Sequence, residues 1–550
     1  MPLTTTPKRR GRHVLAAVSM LAAGSMLLAG CSSGGNTSKD AARFELTANS
    51  AKPSGSIDSF TWAIYAEPAS LDYTHAFDYP DNQVLANVCE SLMRWNSDLT
   101  VSPGLAEKFA NPTPTTWVYQ IRPNVKFHDG TTLSANDVVA SLERHLNPEV
   151  GSYWSAVYEN VTSIKATGPM EVTVTTKKPD ALFNNYMAAS PGTIESAATL
   201  KKDGANYGNP STGVNCTGPF SLDSWNSGTG ITLKKFNDYW DPALMAKANE
   251  VKFVFLPDSN ARVNAMKSGA VDGSWQVPSN GIDQLKSSGQ GQILFGTNTS
   301  VISEIVGNTG GVLGDVRVRK ALLMALDRKG LVQAAEQGYG TVTNSLTTKS
   351  AWMGVKDDVV NGAFAGLNNY DYNLDAAKKL IAEAGAAGKP VTIVSSNITP
   401  GLAITAQAFG AAATSLGLKP TIQSVSPDKF TNLFSDPAAR KGVDLFTTSW
   451  YLSITDPLDM YGVLRTGDFS NYGNWSNKDF DTTVSSALET MDVNARAAKS
   501  VEAQKIANAE LPWLPLYETP NNVWLGNKIT GLSPSINFLY FPWAATVGAK

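Results

Sequence analysis

Residues 390–425 read PVTIVSSNITPGLAITAQAFGAAATSLGLKPTIQSV, and the fold class turns on them. Residues 390–396 are strand-like, 402–416 form an Ala-rich helical stretch that Gly417 closes, and 421–425 are strand-like again. The pattern runs on with a helical stretch at 428–434 and a further strand-like run at 443–450. Strands that alternate with helices need crossover connections, which predicts an α/β protein with a mainly parallel sheet. In such sheets ligands bind beyond the carboxyl ends of the strands, where the loops diverge and leave a crevice. That rule singles out Ser396 and Asn397 after one strand and residues 450–453 after another.

Farther upstream, residues 117–127 read as two strand-like stretches around Arg122-Pro123-Asn124, and His128-Asp129-Gly130 is a tight-turn signal. A helix follows: Ser134 is its N-cap with Asp137 three residues on, and Leu133 can staple against Val138. Its apolar face is Val138, Val139, Leu142 and Leu146. His128 reads as a turn residue that fixes local hydrogen bonds, since no nucleophile or ligand cluster lies near it in sequence.

Composition narrows the class. The chain has 550 residues, and Lys+Arg 45 against Asp+Glu 48 leaves a net charge of -3, so it lacks the basic surplus of a nucleic-acid binder. Its 13 Trp, 17 Tyr and 20 Phe supply apolar faces for two or three packed units. Residues 1–30 read as a signal peptide: Lys8, Arg9, Arg10 and Arg12 precede an uncharged apolar run at 14–29, too short to span a bilayer comfortably. Leu28-Ala29-Gly30-Cys31 resembles the lipobox of bacterial lipoproteins, which implies that Cys31 is acylated and becomes the N-terminus. The polar stretch that follows, 31–56, reads as a flexible linker reaching roughly 25 to 30 Å. With Cys31 acylated, Cys89 and Cys216 form an even pair outside the cytoplasm, either a disulfide or two buried thiols. Only His75, His128 and His145 follow the leader, and neither Cys lies in a Cys-x-x-Cys pattern, so no metal site is expected.

Several stretches now carry a family resemblance. Glu90-Ser91-Leu92-Met93-Arg94-Trp95, Pro103-Gly104-Leu105-Ala106-Glu107, Val125-Lys126-Phe127-His128-Asp129-Gly130-Thr131 and Asn136-Asp137-Val138-Val139 resemble the signature of the family 5 extracellular solute-binding proteins, the peptide and nickel type receptors of ABC importers. Cys216-Thr217-Gly218-Pro219-Phe220, Val316-Arg317-Val318-Arg319-Lys320-Ala321 and Leu511-Pro512-Trp513-Leu514-Pro515-Leu516-Tyr517 match farther along in the same order. The resemblance implies a two-lobed periplasmic-binding-protein-like fold that closes over its ligand. Lobe I would comprise 57–92, 216–301 and 518–550, with an extra inserted subdomain at 93–215, and lobe II would be 302–517. Cys89 and Cys216 then share a lobe, which favours the bond between them. The candidate ligand contacts are Trp450, Ser453, Ser396, Asn397, Asp456, Trp475, Phe77, Tyr79 and Trp275.

In peptide receptors of this family an Asp shortly after the strand-ending Trp holds the ligand's ammonium, and here that position is Ser453. Dipeptide receptors add an Arg for the carboxylate in the loop after an earlier strand, and here residues 395–401 contain none. The resemblance therefore implies a receptor for a small hydrophilic solute, a peptide first and a neutral oligosaccharide second, whose ends are not captured by charge. It further implies a monomer tethered by lipid to the extracytoplasmic face of the membrane, with ABC permease subunits as partners, no cofactor, no nucleic acid and no catalysis. Two other classes compete, a secreted hydrolase and a non-transport regulator of envelope assembly. The Gly-x-Ser-x-Gly pattern at 30–34 straddles the cleavage site, and Asp456 with Asp459, a conceivable carboxylate pair, reads as a turn.

Overall fold

The computed structural model describes residues 43–396 and 398–550, with backbone alone at 427 and 428. The leader, Cys31, most of the linker and Asn397 lie outside the described residues. Two large sheets organise the chain. The first has the order Phe220–Asn226, Gly230–Lys235, Ala248–Phe255, Ile57–Ile64, Gly273–Trp275, Asn521–Gly526, Gly291–Gly296. Ile57–Ile64 pairs in parallel with Ala248–Phe255, and every second residue from Phe60 to Ile64 turns into a core built on Phe60, Trp62, Trp275 and Trp543. The Trp62 ring lies against Gly273, where an added Cβ would come within 2.1 Å of it. That approach requires glycine.

The second sheet has the order Thr341–Val342, Trp513–Glu518, Val301–Val306, Leu445–Trp450, Pro390–Ser396, Lys419–Val425. The strands of the opening stretch lie side by side and parallel, joined through helix Pro400–Ser415. Gly417, at φ +78, turns the chain out of that helix into the next strand. The sheet as a whole is mixed rather than mainly parallel, because Val301–Val306 pairs antiparallel with both Leu445–Trp450 and Trp513–Glu518. Those two strands enter from distant parts of the chain, which a local alternation of strands and helices does not register.

A third, four-stranded antiparallel sheet spans Ala106–Thr113, Thr116–Ile121, Val161–Gly168 and Glu171–Thr176. Helix Ala135–Glu143 packs on it, entered through a capping box in which the Asp137 carboxylate accepts from the Ser134 N–H at 2.9 Å. Val138 and Leu142 are buried as the periodicity predicts, but Leu146 is 41% exposed. The α-helix ends at Glu143, and the tighter 3-10 turn Arg144–Leu146 shifts the phase so that His145 goes inward instead. Cys89 and Cys216 are bonded to each other, and beside them the Gly218 N–H donates to the Val88 carbonyl at 2.8 Å.

The chain passes between the two large sheets twice. One passage leads from Gly291–Gly296 to Val301–Val306 and the other from Trp513–Glu518 to Asn521–Gly526. The Asn298 amide donates to the Thr519 carbonyl at 3.0 Å, so the passages are stitched together. Among the described residues no helix is long and apolar enough to cross a membrane.

Candidate functional site

Two loops bring the sheets' ends face to face. On the second sheet, Leu445–Trp450 ends with Trp450 opposite Val301, at the mouth of a passage. The turn beyond it is tied down by Thr299, whose hydroxyl donates to the Leu452 carbonyl and accepts from the Leu452 N–H, both at 3.1 Å. On the first sheet's side, helix Tyr79–Leu85 starts with Asp78 as N-cap, accepting from the Tyr79 N–H at 2.7 Å. This loop-to-helix junction places Phe77, Asp78 and Tyr79 opposite the turn.

Side chains close the gap. Tyr451 donates from its hydroxyl to the Phe77 carbonyl at 2.5 Å, and its ring meets Tyr79 edge-on at 5.0 Å. Tyr186 donates to the Asp459 carboxylate at 2.6 Å, and Thr455 to the Leu99 carbonyl at 3.1 Å. Tyr540, from the C-terminal segment, donates to the Ser453 hydroxyl at 3.3 Å. Phe77 stacks on Tyr153 with centroids 4.3 Å apart. The result is a cleft between the two sides, bridged by tyrosines from five separate segments.

Two carboxylates stand in that cleft. Burial pushes Asp459 up to about 6 against hydrogen bonds from Tyr186 and the backbone of Ser453 and Ile454. Burial also raises Asp78, whose Oδ1 accepts from Tyr65 at 3.2 Å as well as from Tyr79. Tyr153 is raised well above its ordinary value by burial first, then by the charges of Tyr472, Tyr540, Asp459 and Asp78.

The sequence candidates divide. Trp450, Ser453, Phe77 and Tyr79 come together here, Trp450 half-buried with its ring edge-on to Trp513 at 5.1 Å. Ser396 is buried at the end of its strand with its hydroxyl unpartnered. Three candidates are engaged by other parts of the protein. Asp456 binds Arg496 at 2.8 Å and accepts from the Leu458 N–H at 3.0 Å, so it braces the turn. Trp475 is core, edge-on to Phe480 at 4.9 Å, and Trp275 is core, stacked on Phe538 at 4.3 Å one layer behind Tyr79. Sequence reasoning singled out 450–453, which holds Tyr451, and missed Asp78, Tyr153, Tyr186 and Tyr540. Their only shared signal is residue type. A depression of about 460 Å³ bordered by Asn477, Asp479 and Glu502 lies on helices away from this cleft. It is lined from two helices of one lobe only.

Residues 100–472 match the family described as bacterial extracellular solute-binding proteins, family 5 Middle. The chain belongs to this family. Like its other members, this family 5 protein is a solute-binding component of ABC importers. It is 26% identical to the glutathione-binding protein GsiB of Salmonella paratyphi A (strain ATCC 9150 / SARB42) over 466 residues, 82% of this chain and 88% of that protein. Among solved structures, the PBP AgaA in complex with agropinic acid from A.tumefacien R10 matches with a TM-score of 0.79 at 24% identity, covering 90% of this chain and 99% of that one. DppA from Helicobacter pylori in complex with peptide STSA matches with a TM-score of 0.80 at 19% identity, covering 90% and 98%. These likenesses establish the two-lobed architecture of the family 5 receptors for this chain.

Proposed function

We propose that this family 5 receptor is a lipoprotein anchored through Cys31, which closes over a small hydrophilic solute, a peptide in the first instance, and delivers it to a membrane permease without catalysis. Lobe I would be 57–92, 216–301 and 518–550, with 93–215 as its inserted subdomain and 302–517 as lobe II. The observation that carries the reading is the cleft itself. Its closing hydrogen bonds are made by Tyr451 and Tyr186 side chains, which a solute can replace without disturbing either sheet. The glutathione-binding and peptide-bound relatives support a peptide as the first class of ligand. A neutral oligosaccharide is the second reading, favoured by the half-buried Trp450 and the tyrosine walls, which offer flat faces to a sugar ring. Native mass spectrometry of protein purified without denaturation tests the reading. A carried solute of peptide mass is the expected result, and a carried sugar would favour the second reading. Membrane retention of Cys31→Ser after detergent-free washing would overturn the anchor.

A further inference from the structure

The cleft is bridged by side chains that a solute can replace. A second set of contacts joins the same two sides through other residues, and it begins at the four-stranded sheet. Residues 177–182 leave strand Glu171–Thr176 as an arm fastened to its own sheet. The Lys177 N–H donates to the Asn160 backbone carbonyl at 2.7 Å and the Lys178 N–H to the Asn160 side-chain oxygen at 3.2 Å. The Asn160 amide returns a bond to the Lys178 carbonyl at 2.9 Å. Pro179 fixes its own φ, and the Asp180 carboxylate accepts from the Leu182 and Phe183 N–H groups at 3.2 and 3.1 Å. The arm is held in one shape by its own side.

Its tip is seated on the other side. The Ala181 N–H donates at 2.9 Å to the carbonyl of Leu488, the last residue of helix Lys478–Leu488, where a helix leaves carbonyls without internal partners. Leu182, 2% exposed, belongs to the buried cluster that holds Ile305, Phe446, Phe480 and Trp513, whereas its neighbour Phe183 is buried in the cluster of the first sheet and the four-stranded sheet. The exchange is reciprocal, because Met491, just past the same helix, packs against that first cluster. Lys178 and Glu489 add an exposed ion pair at 2.7 Å. A solute cannot stand in for a backbone hydrogen bond to a helix end or for apolar side chains exchanged between two cores. Parting of the lobes would put Leu182 in water. One guanidinium links this seat to the cleft. Arg496 donates from Nη1 to the Thr490 and Met491 carbonyls at 2.9 Å each and from Nε to Asp456 at 2.8 Å, three residues before the Asp459 that Tyr186 reaches.

We propose that the arm at 178–182 and the turn at 488–491 form a latch that draws the receptor toward its closed form without help from the solute. This rests on the reading of the protein as a hinged receptor. Such a latch scales the affinity for every solute by one factor and does not choose among them, since apparent affinity follows the fraction of the binding-competent form.

Hydrogen exchange tests the latch on protein dialysed until native mass spectrometry shows no carried solute. In the wild type the segments 181–186 and 488–491 should be protected together. Leu182→Ala should speed exchange in both roughly ten- to 100-fold, the factor expected for the lost burial. Strands Thr116–Ile121 and Glu171–Thr176 should keep the wild-type rate, which reports that the variant folds. Lys178→Glu, at an exposed position, is the second variant and should loosen both segments about two- to fivefold at low salt, with Glu489→Lys added to it restoring the protection. No protection of 181–186 in the solute-free wild type, or equal exchange in wild type and Leu182→Ala, overturns the latch and leaves the receptor reading to its own test of a carried solute. If Leu182→Ala also exposes the four-stranded sheet, the charge pair decides, and unchanged exchange in Lys178→Glu overturns the latch.

Discussion

The two lobes treat their buried charges differently. In lobe I, Arg144 joins Asp72 and Glu195 at 2.8 Å each through one nitrogen, and Arg94 joins Asp241 at 2.8 Å and Glu90 at 3.3 Å. Against the push of burial, hydrogen bonds from His75 and Arg144 hold Asp72 well below the usual carboxylate range. Around the lobe II sheet, charges are kept apart. Among the described residues Glu304 is bonded only to the Thr447 hydroxyl at 2.7 Å, and burial pushes it up to about 8. Arg328 donates to the carbonyls of Thr343, Pro515 and Tyr370, and burial lowers it to about 10. Lobe II does hold one buried ion pair, Asp456 with Arg496, but in the turn beside the cleft. Pairing needs excellent geometry to repay desolvation, whereas a carboxyl that keeps its proton avoids the charge. Pairing holds down only one acid of the Arg144 cluster: burial, with Asp72 beside it, pushes Glu195 up to about 8, as burial does Glu304.

The sharpest way to break this contrast is Arg144→Met, which leaves Asp72 and Glu195 buried without their cation. Urea unfolding should show a loss of about 3–5 kcal/mol. Removing the Cys89–Cys216 bond with a double Ala variant should cost about 2–4 kcal/mol, because it frees a long loop in the unfolded chain. The same unfolding curve would show no such loss if the bond carries no weight. Glu304→Gln addresses lobe II. The folded carboxyl holds a proton that the unfolded chain releases near its ordinary value of 4.5, so the wild type should lose stability as pH rises through about 8. The variant should lose Glu304's share of that decline, Glu195 keeping its own, and be more stable at alkaline pH by on the order of 2 kcal/mol. Identical pH profiles for wild type and variant from pH 5 to 9 would refute the role given to Glu304. The smallest effect belongs to Asp137→Ala, which removes the acceptor for Ser134 and for the Ala197 N–H at 3.0 Å and should cost about 1 kcal/mol by thermal unfolding.

What was legible in the sequence follows the range of the forces involved. The strands and helices between 390 and 450 and the capping box at Ser134 depend on neighbours a few residues apart, and they are found as the pattern predicts. The mixed sheet was not legible, since Val301–Val306 and Trp513–Glu518 reach it from far away in the chain. The same holds for the cleft. A Trp looks alike in sequence whether it lines a cleft or fills a core, so Trp275 and Trp475 could not be told from Trp450. Asp456 is taken by an Arg 40 residues on, while Asp459 is left without a cation, and nothing in Asp456-Pro457-Leu458-Asp459 ranks one above the other.

The stitched passages between the sheets limit how the molecule can move. Two separate single-chain links would let one lobe swivel, slide and twist against the other. Asn298 is bonded to Thr519, and Pro520 next in the chain fixes its own φ, so the two passages are held side by side. A tied pair resists twisting of one lobe against the other more than two free links would. Cutting the stitch with Asn298→Ala would turn a door into a ball joint.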